Sequence, residues 1–154
     1  MPAKKLKAFL DSQHIKYTSI KHSPAYTAQE IAAKSHISGK EIAKTVIVKI
    51  KDKMAMAVLP ASSKIDFEAL MMVTGSANVD LASEEEFKFT FPDCEIGAMP
   101  PFGNLYDVDV FVAGTLAEDE EIFFNAGTHS ELIRMAYKDF ERIVQPKVLE
   151  FSLA

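Results

Sequence analysis

Apolar positions change period along the chain, and each change marks an element. Leu6, Phe9 and Leu10 recur at helical spacing among lysines, so residues 3–13 are expected to form an amphipathic helix. Ile15, Tyr17 and Ile20 then stand among polar residues as a short extended stretch. The run H-S-P-A-Y, His22 to Tyr26, reads as a loop about Pro24. Thr27 and Glu30 have capping-box spacing and predict a helix carrying Ile31, Ala32 and Ala33; Ser38 and Glu41 repeat the pattern and predict a second.

From Thr45 the pattern is β-branched and nearly all apolar, T-V-I-V-K-I. Lys51–Lys53 is a polar turn and Met54–Leu59 is apolar again, which predicts a hairpin with a buried strand. Residues 63–74 read as a helix with Phe67, Leu70 and Met71 on one face and Gly75 as its stop. A short strand is expected at Asn78–Leu81. Ser83 and Glu86 form another capping box, with acids at the positive end of a helix.

Residues 92–104 differ in kind: two prolines and two glycines between Gly97 and Gly103 exclude a helix or a central strand. Beyond them strands are expected at Asp107–Ala113 and Ile122–Phe124, with an acidic turn between. A tight connection follows at Ala126–His129, then a strand at Leu132–Met135, a helix at Tyr137–Val144 ended by Pro146, and a last strand at Lys147–Phe151. Helices and strands mix without regular βαβ alternation, which predicts an α+β fold with a mixed or antiparallel sheet. No repeat, linker or low-complexity segment appears, so residues 1–154 are expected to form one domain.

Composition is that of an ordinary globular chain, with 48% apolar and 25% charged residues among 154. The lone cysteine, Cys94, excludes an internal disulfide and a Cys-rich zinc site. His14, His22, His36 and His129 lack metal-ligand spacing, and no nucleotide-cradling glycine motif is present, so no metal or cofactor is expected. The basic Met1–Lys7 is followed by no long apolar run, and no stretch approaches the roughly 20 apolar residues of a membrane helix. A soluble, cytoplasmic protein with no membrane partner is expected.

The formal net charge of −5 argues against a general DNA-binding role, but it hides an asymmetry. Residues 1–64 hold 12 lysines against 4 acids, whereas residues 65–154 hold 5 basic residues against 18 acids. A lysine-rich half can present a positive face to phosphates even in an acidic protein, although linear clustering is also compatible with charges scattered over the surface.

Three places can carry chemistry. Lys44 precedes the apolar strand, where a fixed cation can hold a phosphate or polarise a carbonyl, or can equally be a solvated edge lysine. The loop Gly97–Gly103 combines close backbone approach at glycine with stiffness at proline, so its amides could stabilise an oxyanion; a plain structural turn has the same composition. Ala126-Gly-Thr-His129 can put an imidazole in a pocket or simply satisfy it against backbone. Cys94 with His129 as its base is a fourth arrangement, set against the commoner use of a lone cysteine in packing.

The order of these segments resembles the YbaK/EbsC family, bacterial aminoacyl-tRNA deacylases related to the editing insertion of prolyl-tRNA synthetase. The residues that carry the resemblance are H-x-P-x-x-T-A-x-E-x-A at His22–Ala32, A-K-T within Ala43–Lys49, G-x-x-P-P-F-G at Gly97–Gly103, and the strand ending Asn125–His129. The resemblance spans roughly residues 5–150. It implies an α+β fold in which helices surround a mixed, barrel-like sheet, and an activity that hydrolyses the ester joining a wrong amino acid to the tRNA 3′ end. It puts the family's lysine on Lys44, its pocket-loop glycine on Gly97 and its pocket histidine on His129. Around the substrate it puts Tyr26, Thr27, Ala28, Ile31, Thr45, Met99, Pro101, Phe102, Gly103 and Gly127. Small amino acids such as Ala, Ser, Thr, Cys or Pro are the implied cargo. An aminoacylated tRNA is the implied partner, with an aminoacyl-tRNA synthetase as a second.

An aminoacyl ester is already activated, so positioned water and a stabilised oxyanion suffice, without a side-chain nucleophile. The base can then be the substrate's own ribose hydroxyl. A non-catalytic tRNA-end or nucleotide-binding module, and a partner-docking protein acting through Glu118–Glu121, are the readings that compete with the deacylase.

Overall fold

The computed structural model describes residues 2–22 and 41–153. The helices expected near Thr27 and Ser38 therefore lie outside the described residues. The first helix, α1, covers Pro2–Ser12 and buries Leu6 and Leu10, as the spacing predicts. The strands are β1 (Tyr17–Lys21), β2 (Ile42–Ile50), β3 (Lys53–Pro60), β4 (Lys64–Ile65), β5 (Val79–Leu81), β6 (Asp109–Ala113), β7 (Glu121–Asn125), β8 (Glu131–Ala136), β9 (Lys147–Leu149) and β10 (Ser152–Leu153). Between them run α2 (Phe67–Thr74), α3 (Glu84–Phe87), a 3-10 turn at Gly103–Leu105, α4 (Gly114–Ala117) and α5 (Tyr137–Val144).

Eight strands form one mixed sheet in the order β1-β8-β7-β2-β3-β6-β9, with β5 added to β2. The hairpin β2–β3 is antiparallel with Lys44 opposite Leu59, while β2–β7, β3–β6 and β6–β9 are parallel. This is the α+β arrangement with a mixed sheet that the sequence predicts. Apolar side chains pack on both faces. Ala43, Ile47, Met56, Val58 and Phe124 join α1 and α5 in one cluster, whereas Val48, Ala57, Leu59 and Leu70 join α2 in another. That two-sided burial explains why these strands read as continuous apolar runs.

Some boundaries differ from expectation. The helix expected from residue 63 starts at Phe67, because the Asp66 side chain accepts from the Ala69 N–H and caps it. Lys64–Ile65 instead pairs with β10. The last strand is two: β9 follows β6, then Glu150 and Phe151 intervene before β10 turns to β4. The acidic turn before Ile122 holds the short α4, and Ser83–Glu86 forms the predicted capping box.

Glu131 ties α1 to the sheet. The residue is 8% exposed, and its side chain pairs with Lys7 Nζ at 2.6 Å and accepts from the Ser19 hydroxyl. Burial alone would raise its pKa, but Lys7 and Ser19, with Lys21, outweigh burial and hold the carboxyl below its ordinary range. In the unfolded chain it titrates near its usual value of about 4.3. The unfolded state therefore takes up a proton first as pH falls, and the stabilisation present above that value is lost toward the lower folded pKa. Glu131→Gln is expected to lower Tm at neutral pH, and the gap to wild type should narrow from pH 5 to pH 3 in a thermal-melt series. A gap independent of pH would show that the charge contributes nothing.

Candidate active site

The site is built where the sheet parts along β2. One edge of β2 pairs with β3 from Ala43 to Ile50. The other edge pairs with β7 at Ile42–Ala43 and with β5 at Val48–Ile50, and the Ala82 N–H reaches the Ile47 carbonyl at 3.0 Å. Lys44, Thr45 and Val46 fall between these patches, with no strand partner on that side among the described residues.

Side chains alternate along β2, with Ala43 and Ile47 in one cluster and Val46 and Val48 in the other, so Lys44 shares the face of Val46. The parallel pairing of Ile42 with Phe123 and Ala43 with Phe124 brings Asn125 beside Lys44 on that face. Two buried acceptors here have no hydrogen-bond partner among the described residues: Asn125 Oδ1, and Thr45 Oγ1 on the opposite face. Polar atoms buried without a partner are uncommon and mark places where a ligand group can complete the bonding.

Lys44 is half-buried. Burial, and secondarily the positive charge of Lys64, push its pKa below the ordinary lysine range. None of the ion pairs among the described residues includes Lys44 or Lys64. An uncompensated, partly desolvated cation is a poor stabilising device and a good anion receptor.

The second part is a clamp between two loops. The Glu95 N–H donates to Gly127 O at 2.8 Å, and the Gly127 N–H donates to Ala98 O at 3.0 Å. The His129 N–H donates to Glu95 Oε1 at 3.2 Å, and His129 Nε2 lies 2.8 Å from the Ile96 carbonyl oxygen. A carbonyl only accepts, so this bond requires the proton on Nε2. Gly97 and Gly127 have φ of +86° and +93°, the left-handed region that favours glycine. A Cβ on Gly97 would stand 3.5 Å from His129 Cε1. The structure thus brings Gly97, Gly127 and His129 together. With Nε2 donating to backbone, that nitrogen of His129 positions the loop and is not a free base. The His22 N–H donates to Ser130 O at 2.9 Å, so the chain enters the following segment beside this clamp.

The remaining expected contacts divide. Tyr26, Thr27, Ala28 and Ile31 lie outside the described residues. Met99, Pro101 and Gly103 are buried, and Phe102 is 0% exposed among Phe9, Phe124 and Phe140. The Phe102 ring therefore anchors the loop in the core and does not face an open site. Gly103 is pressed against the Val108 carbonyl, which leaves no room for a Cβ.

Cys94 is held as a thiol: burial raises its pKa more than the Tyr106 hydroxyl at 3.4 Å lowers it. A protonated thiol is a weak nucleophile, which removes the support for a cysteine hydrolase. Glu41, Asp119, Glu120 and Glu121 line a shallow acidic cleft, and no metal-binding group of His, Cys, Asp or Glu occurs among the described residues. No helix among them is long and apolar enough to cross a membrane. Sequence reasoning missed two site residues, Lys64 and Asn125. A lone polar residue ending an apolar strand was the available signal for Asn125, and for Lys64 there was none beyond its charge.

A family model described as the aminoacyl-tRNA editing domain matches residues 22–143. The chain is 28% identical over 144 residues to the prolyl-tRNA editing protein ProX of Acetoanaerobium sticklandii, covering 90% of this chain and 87% of that protein. It is 30% identical over 114 residues to the multifunctional Ser/Thr-tRNA deacylase ProXp-y of Escherichia coli K12, covering 71% and 68%. A solved structure described as a candidate trans-editing enzyme for prolyl tRNA synthetase superposes with a TM-score of 0.83 at 19% identity, over 99% of this chain and 98% of that one. At that identity the superposition speaks to the fold.

Proposed function

Because the chain belongs to the aminoacyl-tRNA editing domain family, we propose that it is a trans-editing hydrolase that removes a wrongly attached small amino acid from the 3′ end of tRNA. The observation that carries this reading is Lys44, a half-buried cation with no acidic partner among the described residues, in the gap of β2 beside Asn125. Such a cation suits the phosphate of a terminal nucleotide.

In the proposed reaction, water adds to the ester carbonyl carbon and the carbonyl electrons move to oxygen. Collapse of that intermediate breaks the bond to the ribose oxygen, which leaves with a proton as the hydroxyl; the products are a free amino acid and uncharged tRNA. Backbone amides of the Gly97–Gly103 loop face the oxyanion, held in place by the His129 clamp. The neighbouring ribose hydroxyl takes the proton from water and passes it to the leaving oxygen. No metal or cofactor enters. The names of the relatives support proline-related and Ser/Thr-charged tRNAs as the substrate class, and a prolyl-tRNA synthetase as the enzyme whose errors are cleared.

The test is a panel of tRNAs charged with Ala, Ser, Thr, Cys and Pro, including mischarged tRNA(Pro), followed for ester loss. Rapid loss of one or two esters is expected. Stable esters across the panel with retained tRNA binding would replace the hydrolase by a binding module.

A further inference from the structure

We infer that Lys64 is a second phosphate-binding residue, which with Lys44 forms a two-cation clamp for the sugar–phosphate backbone of the single-stranded acceptor end. This rests on the deacylase reading above and extends it to a residue outside the matched motifs.

The backbone puts the two lysines together. Lys44 stands opposite Leu59 near the end of β3, and Ala43 opposite Pro60. The Ala61 N–H donates to Ile42 O at 2.7 Å, and the Ser63 N–H closes a turn on Pro60 O at 2.9 Å. Lys64 is the next residue, held in β4 by its pairing with Leu153 of β10. The partly buried Ile65 packs toward the α2 cluster, and Lys64 beside it is exposed.

Among the described residues no acid compensates their charges. Lys44 and Lys64, like several other lysines, pair with no carboxylate among the described residues. After burial, the positive charge of Lys64 is what lowers the pKa of Lys44. Two neighbouring cations without an acid are relieved by an anion shared between them. A phosphodiester carries the charge and the oxygens to do so. The single-stranded end is the fitting source, since the ester to be cut lies on its last ribose.

Kinetics of Lys64→Ala, Lys64→Glu and Lys64→Arg on a mischarged tRNA, with filter binding of uncharged tRNA, test this between about 50 and 200 mM salt. Lys64→Ala is expected to raise KM and the tRNA Kd about three- to tenfold with kcat within twofold. It should flatten the log–log salt dependence by about 0.7 to 1. Lys64→Glu should be worse and Lys64→Arg close to wild type. The alkaline limb of the rate should also move to higher pH in Lys64→Ala, as Lys44 loses its repelling neighbour. Unchanged KM, Kd and salt slope in Lys64→Ala, while Lys44→Ala still abolishes the rate, would overturn the clamp and leave the deacylase standing. A fall in kcat and Tm without a change of slope would assign Lys64 a structural role and also overturn it. Loss of the deacylase reading shows separately, as an inactive wild type. Filter binding alone would then decide the clamp.

Discussion

Phe102→Ala is expected to cost about 3–5 kcal/mol of folding free energy, the range for removing a fully buried aromatic ring. The ring is 0% exposed and meets three others edge-on or tilted, with centroids 6.2 Å away for Phe9, 5.4 Å for Phe124 and 5.5 Å for Phe140. Those contacts join α1, β7 and α5, so a cavity at Phe102 loosens three elements at once. Against a typical total of about 5–15 kcal/mol, the loss is a large share. At roughly 2–4 °C per kcal/mol for a chain of this size, Tm should fall by about 6–20 °C. Phe102→Leu keeps most of the volume and should cost about 1–2 kcal/mol. The measurement is thermal and urea unfolding of both variants, with deacylation assayed well below Tm. A Phe102→Ala protein as stable as wild type but inactive would return Phe102 to the pocket wall that the sequence suggests.

That reversal shows what the chain discloses and what it hides. Features set by near neighbours are legible: the β2–β3 hairpin, the Ser83 capping box and the stop of α2 at Gly75, whose φ is +70°. Features set by distant pairing are not. Ser63–Ile65 continues a helical pattern on paper, but β10 lies far along the chain and claims Lys64 and Ile65 as a strand. Phe102 follows two prolines and precedes a glycine, which reads as an exposed turn, and only the folded core shows where its ring goes. The candidate site behaves the same way. Lys44, Gly97 and His129 are each visible from motifs, yet the bond from His129 Nε2 to Ile96 O, which commits that nitrogen to holding the loop, exists only once two loops meet. The pairing of Lys44 with Lys64 likewise needs the turn after Pro60.

Lys44→Ala should lower kcat/KM for the ester by about 10²- to 10³-fold, the range for deleting one preorganised group that stabilises charge in a dry site. Lys44→Met is the sharper variant, because it keeps the length of the stem without the charge. The folded-state pKa of Lys44 lies below that of the unfolded chain, so the unfolded state holds the proton more tightly. The ammonium therefore destabilises the fold wherever both states are protonated, and the penalty is relieved only as pH rises through the folded pKa. Lys44→Met should consequently melt at a higher temperature than wild type while its activity collapses, the opposed signs expected of a group kept for function. In wild type, activity after subtraction of spontaneous ester hydrolysis should decline on the alkaline side below the usual lysine value of about 10.4, since only the ammonium form binds the anion. Lys44→Arg retains the charge on a larger, planar head and should recover binding more than rate. Undiminished kcat/KM in Lys44→Met would remove Lys44 from the reaction. A loss of both activity and Tm would make it a packing residue.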